Sequence, residues 1–152
     1  MRFLSIKPGE ATAKVLRDIE EISRYYKPVR CYVGGSEVSC FDLARELISR
    51  GTADHDLTIC NERKSACLNV GAGSRLDILE LSGVEVHFLV DVADRVRPGD
   101  LIAYVVTNKG EVRSVRSEFE GRVLLLHEDP TSKPLKYFVV VTGEGVGADG
   151  GG

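Results

Sequence analysis

A lysine at the centre of a short polar turn presents a primary amine to solvent. Thr107-Asn108-Lys109-Gly110 lies between two apolar stretches, so the spacing predicts a hairpin tip with Lys109 at its end. A tight turn fixes the backbone and leaves the amine in solvent. Asn-Lys-Gly is equally an ordinary polar turn. Four cysteines, Cys31, Cys40, Cys60 and Cys67, offer thiol or metal chemistry. Their spacing lacks the close Cys-x-x-Cys pairs of structural zinc sites and redox dithiols. Reduced, partly buried thiols are the expectation, and disulfides are the alternative for a hyperthermophile. The absence of glutamine, three asparagines and a single methionine lean towards a thermophile. Free, bridged and metal-bound states stay open.

Histidine adds little. His55 in Asp54-His55-Asp56 could join Cys60 as a metal ligand, but nothing fixes a geometry and a polar loop is the expectation. His87 falls on the outward phase of its strand, beside Glu85 and Asp91. His127-Glu128-Asp129, just before Pro130, reads as a solvated acid-rich turn. No sequence flanking a cysteine supports a Cys/His nucleophile. Neither a catalytic residue nor a metal site is expected, although a small Cys/His metalloenzyme is a third reading behind the two given below.

Composition narrows the partners. The 152 residues are 43% apolar and 28% charged, with 20 basic against 23 acidic side chains. That balance gives no electrostatic footprint for nucleic acid. Apolar runs fall short of the roughly 18 residues of a membrane span. The start, Met1 to Gly9, has too short an apolar stretch for a signal peptide, so a cytoplasmic protein is expected.

Residues 1–55 read as a mostly helical region. A strand-like start at Phe3, Leu4 and Ile6 is broken by Pro8-Gly9. Ala11, Val15, Ile19, Ile22 and Tyr26 then recur at helical spacing up to Pro28. Arg30 to Val33 reads as a strand ending at Gly34-Gly35. Ser39 is the expected N-cap of a helix carrying Phe41, Ala44, Leu47 and Ile48, with Gly51 as its stop. Residues 56–83 read as short strands at Leu57–Cys60, Ala66–Val70 and Leu76–Leu81.

Residues 84–142 are the most β-rich. Val84, Val86, Phe88 and Val90 alternate with Glu85, His87, Leu89 and Asp91, and Leu101–Val106, Glu111–Ser117, Arg122–Leu126 and Leu135–Val141 read as further strands. Val112 and Val115 are the apolar members of the third strand. Glu128 to Pro134 reads as a loop, and residues 143–152 as a disordered glycine-rich tail. Phe88–Val105 and Val123–Val140 form a weak repeat of strand, loop and strand about the Lys109 turn.

This organisation resembles the barrel-sandwich hybrid of lipoyl- and biotinyl-attachment domains. The matching residues are Asp94-Arg95-Val96-Arg97-Pro98-Gly99-Asp100-Leu101-Ile102, then Val106-Thr107-Asn108-Lys109-Gly110, then Gly121 before an apolar strand, with Ala93 standing where the family's first turn has a glycine. Lys109 stands ten residues after Gly99, the distance expected of a modified lysine. Cys40 to Arg45 and Val86 to Val90 also resemble an uncharacterised archaeal family with a lipoyl/biotinyl-like C-terminal domain. The resemblance implies a mainly β, α+β fold with N-terminal helices and a flattened C-terminal barrel. It names Lys109 as attachment point, with Thr107, Asn108 and Gly110 beside it. A biotin acceptor has methionines where Lys109 has Asn108 and Gly110, and a lipoyl acceptor carries an acid where this chain has Val106. The first reading is therefore a non-catalytic binding or assembly module without a cofactor, meeting protein partners or itself. The second is a carrier with lipoate or biotin on Lys109, serving a multienzyme complex.

Overall fold

The structure, a computed structural model, describes residues 29–143. The expected strand at Phe3–Ile6, the Ala11–Tyr26 helix and the glycine-rich tail from residue 144 onward lie outside the described residues.

Three antiparallel sheets and one helix make up this part. The first sheet holds β1 (Val29–Val33), β2 (Ser36–Val38), β3 (Leu57–Asn61) and β4 (Ala66–Val70) in the order β2-β1-β3-β4. Gly34 and Gly35 both take positive φ, 56° and 88°, which is the two-residue turn that matches strand twist. Between β2 and β3 runs α1 (Cys40–Arg50). It begins where the Ser39 hydroxyl accepts from the Asp42 N–H and ends at Gly51, whose φ of 75° is left-handed. Leu43, Ala44 and Leu47 are its buried face.

The second sheet holds β5 (Leu76–Ser82), β11 (Lys136–Thr142), β10 (Gly121–Asp129) and β7 (Arg95–Val96) in that order. The third holds β6 (Glu85–Phe88), β8 (Leu101–Val106) and β9 (Val112–Arg116) as β6-β8-β9. Side chains alternate across a strand, so one sheet can feed two cores. Along β11, Val140 joins the cluster of Cys31, Leu43, Leu47 and Ile59, while Val139 and Val141 join that of Ile102, Ala103 and Val105. The second sheet is thus the shared middle layer, with α1 and the first sheet on one face and the third sheet on the other.

The mainly β expectation holds, and several details change. The two repeat segments each form an antiparallel pair, but in different sheets: Phe88 faces Ala103, and Leu125 faces Val140. Val112 is 65% exposed, because it stands three residues from Val115 and so on the other face of β9. Glu128 and Asp129 belong to β10, paired with Tyr137 and Lys136, since a strand mate fixes them where their polarity suggested a loop. The short strands β2 and β7 have no sequence signal of their own and exist through their partners.

The cysteine expectation is corrected. Cys31 bonds Cys40 and Cys60 bonds Cys67. Cys60 and Cys67 stand directly opposite on β3 and β4, and the other bridge ties β1 to the first residue of α1.

Candidate functional site

Two places concentrate chemistry. The first is the tip of the β8–β9 hairpin. Val106 and Val112 are the last paired residues. Thr107 N–H then donates to Glu111 O at 2.9 Å, and Gly110 N–H donates to Thr107 O at 2.9 Å. Gly110 has φ 82°. This is a three-residue loop, a tight turn closed by a left-handed glycine. Its central residue is Lys109, which is exposed, with Asn108 before it. Thr107 Oγ1 also accepts from the Glu111 N–H at 3.2 Å, bracing the tip. A shallow groove of about 480 Å³ runs beside it, walled by Asn108, Val84, Pro134 and Leu135.

The second is a cleft of about 440 Å³ where α1 and β1 meet the β10–β11 hairpin. Phe41, Val92, Leu125 and Leu126 supply apolar wall, and Cys40, Arg63 and His127 open onto it. Arg63 and Asp91 form a two-bond ion pair at 2.8 and 3.1 Å. Burial alone would raise the Asp91 carboxyl. Hydrogen bonds from Arg63, from the Val92 N–H and from Asn61 outweigh it and hold the group below the usual carboxylate range. Asn61, fully buried, donates to Val92 O at 2.9 Å and accepts the Arg63 N–H at 3.1 Å. It locks the β3–β4 turn onto the segment that leads into β7.

His127 departs from the solvated turn expected of it. It is 6% exposed, with ring centroids 4.8 Å from Phe41 and 6.1 Å from Phe138. Burial pushes its pKa below the ordinary imidazole value. Arg45 adds to this, while Asp129 and Glu128 pull the other way. Asp129 itself is held down to about 2 by hydrogen bonds from Thr131 and Ser132, so it stays charged while His127 titrates. Because the folded state prefers neutral His127, the unfolded chain binds the extra proton. The stabilisation is complete above about pH 6.5 and is lost as pH falls from there towards the lower folded value. Denaturant titrations at a series of pH values should show stability rising with pH in that window, and His127→Leu should flatten this rise. Equal slopes in both proteins would remove burial of the imidazole as the cause.

The other sequence candidates are dispersed. His55 is exposed between α1 and β3, and Cys60 is spent in its bridge. His87 is exposed and contacts Glu85. Among the described residues no group of three His, Cys, Asp or Glu side chains converges as metal ligands. No helix there is long and apolar enough to cross a membrane. Sequence reading missed Asn61, Arg63 and Asp91, whose defining contacts, Asn61 to Val92 and Arg63 to Asp91, span 31 and 28 positions. The one local hint was a polar turn with a buried-strand neighbour.

Comparison with known proteins adds a family. No curated protein matches the chain. Residues 6–144 match a family described as an uncharacterized protein conserved in archaea (DUF2118). With nearly the whole sequence covered, the chain belongs to that archaeal family.

Proposed function

We propose that the protein is a non-catalytic binding and assembly module. In this reading residues 84–142 form a lipoyl/biotinyl-like barrel-sandwich domain without an attached cofactor, and the cleft beside α1 takes an apolar segment of a protein partner. The cleft is the observation that carries it. Its wall is largely apolar, and Arg63 and Asp91 at its edge are engaged with each other. Such an edge orients a partner while the apolar floor supplies the affinity.

Two turns support the barrel assignment. Ala93 takes φ 80° and Gly99 φ 94°, so both positions of the attachment-domain turn motif are left-handed, the first without its glycine. Ala93 N–H donates to Val123 O at 2.7 Å, and Gly99 N–H donates to Ser117 O at 2.8 Å. Each turn therefore docks on the half of the chain that follows the hairpin.

Phe41 is 46% exposed on the first turn of α1, so Phe41→Glu places a charge on the cleft wall at the cost of its ring contact with His127. Thermal denaturation of the variant confirms that it is folded before capture is compared. Partner capture by the tagged full chain, read by quantitative mass spectrometry, should fall at least about tenfold in this variant, a loss of roughly 1.4 kcal/mol. Retention unchanged by the substitution would sink the reading.

The tip geometry favours the carrier as the second reading: Lys109 is exposed, backbone-fixed and next to an apolar groove. Intact mass with peptide mapping on protein from its native organism separates the two. The binding module carries unmodified Lys109, and a lipoyl or biotinyl mass there would make the protein a carrier.

A further inference from the structure

Cys31 and Cys40 are unequal partners. Cys31 is fully buried among Leu43, Leu47 and Ile59. Cys40 is half-buried, and of the four cysteines it is the one that lines the cleft. It is also the first residue of α1, directly after the Ser39 cap. Helix-terminal N–H groups stabilise a thiolate, against which stand Asp42 in the same turn and the Val29 carbonyl 3.3 Å from Cys40 Sγ. One sulfur reachable from an apolar groove and one sealed behind it is the arrangement a thiol–disulfide exchange site needs. The accessible sulfur takes the incoming group, and the buried one leaves.

We propose that Cys31–Cys40 is an exchangeable disulfide, with Cys40 the site at which a dithiol-bearing protein segment reacts in the cleft. A partner thiolate attacks Cys40 Sγ, forming the mixed disulfide while Cys31 departs as thiolate and takes up a proton. The partner's second thiolate then attacks the partner sulfur of that bond and releases Cys40. The partner dithiol is oxidised to a disulfide by two electrons, and Cys31–Cys40 is reduced to two thiols. The inference shares the cleft with the binding role but needs no identified partner.

Full-length Cys31→Ser protein, with Cys60–Cys67 intact, is incubated with oxidised glutathione and mapped by mass spectrometry. Glutathionylation is expected at Cys40, at least about tenfold faster than at Cys67 in Cys60→Ser. In parallel, the wild-type protein is titrated with dithiothreitol, alkylated and mapped, which covers a variant that fails to fold. The Cys31–Cys40 pair should open first, with native near-ultraviolet dichroism retained. Equal or faster reaction at Cys67, or opening of Cys31–Cys40 only together with unfolding, would overturn the proposal. Exchange at Cys40 in a protein whose partner capture ignores Phe41→Glu would remove the binding role and leave this one.

Discussion

Gly121→Ala is expected to destabilise the protein by about 4 kcal/mol, overpacking and backbone strain combined. Gly121 opens β10 opposite Val96 of β7, and the next residue, Arg122, pairs with both Arg95 and Thr142. Two sheet neighbours close on one backbone at this point. A Cβ added there would lie 2.0 Å from the Thr142 carbonyl oxygen and 2.8 Å from its carbon. Those are backbone atoms of the next strand, so no rotamer change relieves the clash. The end of β11 has to move, and the φ of 156° adds strain. For a chain of this size the loss corresponds to a Tm lower by roughly 10 °C. Gly110→Ala is the control. Gly110 also has positive φ, yet nothing stands within 4 Å of its added Cβ, so the cost is conformational, about 1 kcal/mol. Equal losses in thermal denaturation would show that φ, and not the contact with Thr142, sets the requirement for glycine at 121.

The same contrast between local and distant causes explains what could be read from the sequence. Ser39, Gly51 and the Gly34-Gly35 and Asn108-Lys109-Gly110 turns were legible because each acts on residues within four positions of itself. The Leu101–Val106 strand was legible to its ends because an apolar run bounded by two turns leaves little choice. The disulfide pairing was not. Cys31 meets Cys40 only once β1 has turned and α1 has packed back on it, and Cys60 meets Cys67 only in one register of β3 on β4. His127 carries the same lesson. Flanked by two acids it reads as solvated, but its strand phase and the approach of Phe41 from α1, 86 positions earlier, bury it. Lys109 was placed at its tip by turn chemistry alone, whereas the cleft belongs to no local pattern, since its walls come from α1, β1, the segment after β6 and β10.

Asn61→Ala tests the residue that assembles those walls, with an expected cost of about 3 kcal/mol. Its amide is fully buried, with Nδ2 donating to the Val92 carbonyl and Oδ1 accepting the Arg63 N–H. Truncation leaves a buried acceptor and a partly buried donor without partners. Each such orphan costs about 1–3 kcal/mol, more than the hydrogen bond itself was worth. Thr58→Ala supplies the comparison. The Thr58 hydroxyl bonds Asn69 at 2.8 Å across the exposed face of the same sheet, where water replaces the lost partner and the cost stays below about 1 kcal/mol. Denaturant unfolding of the two variants should therefore separate by about 2 kcal/mol. A second readout comes from Asp91, which loses the Asn61 hydrogen bond that helps keep its carboxyl ionised. Its NMR titration should move up towards the ordinary carboxylate value in Asn61→Ala and stay put in Thr58→Ala. Should stability fall while Asp91 titrates as before, Asn61 would be a strap on the Val92 carbonyl alone. A joint change makes it the joint between the β3–β4 turn and the Arg63–Asp91 edge, and so the residue on which the shape of the cleft depends.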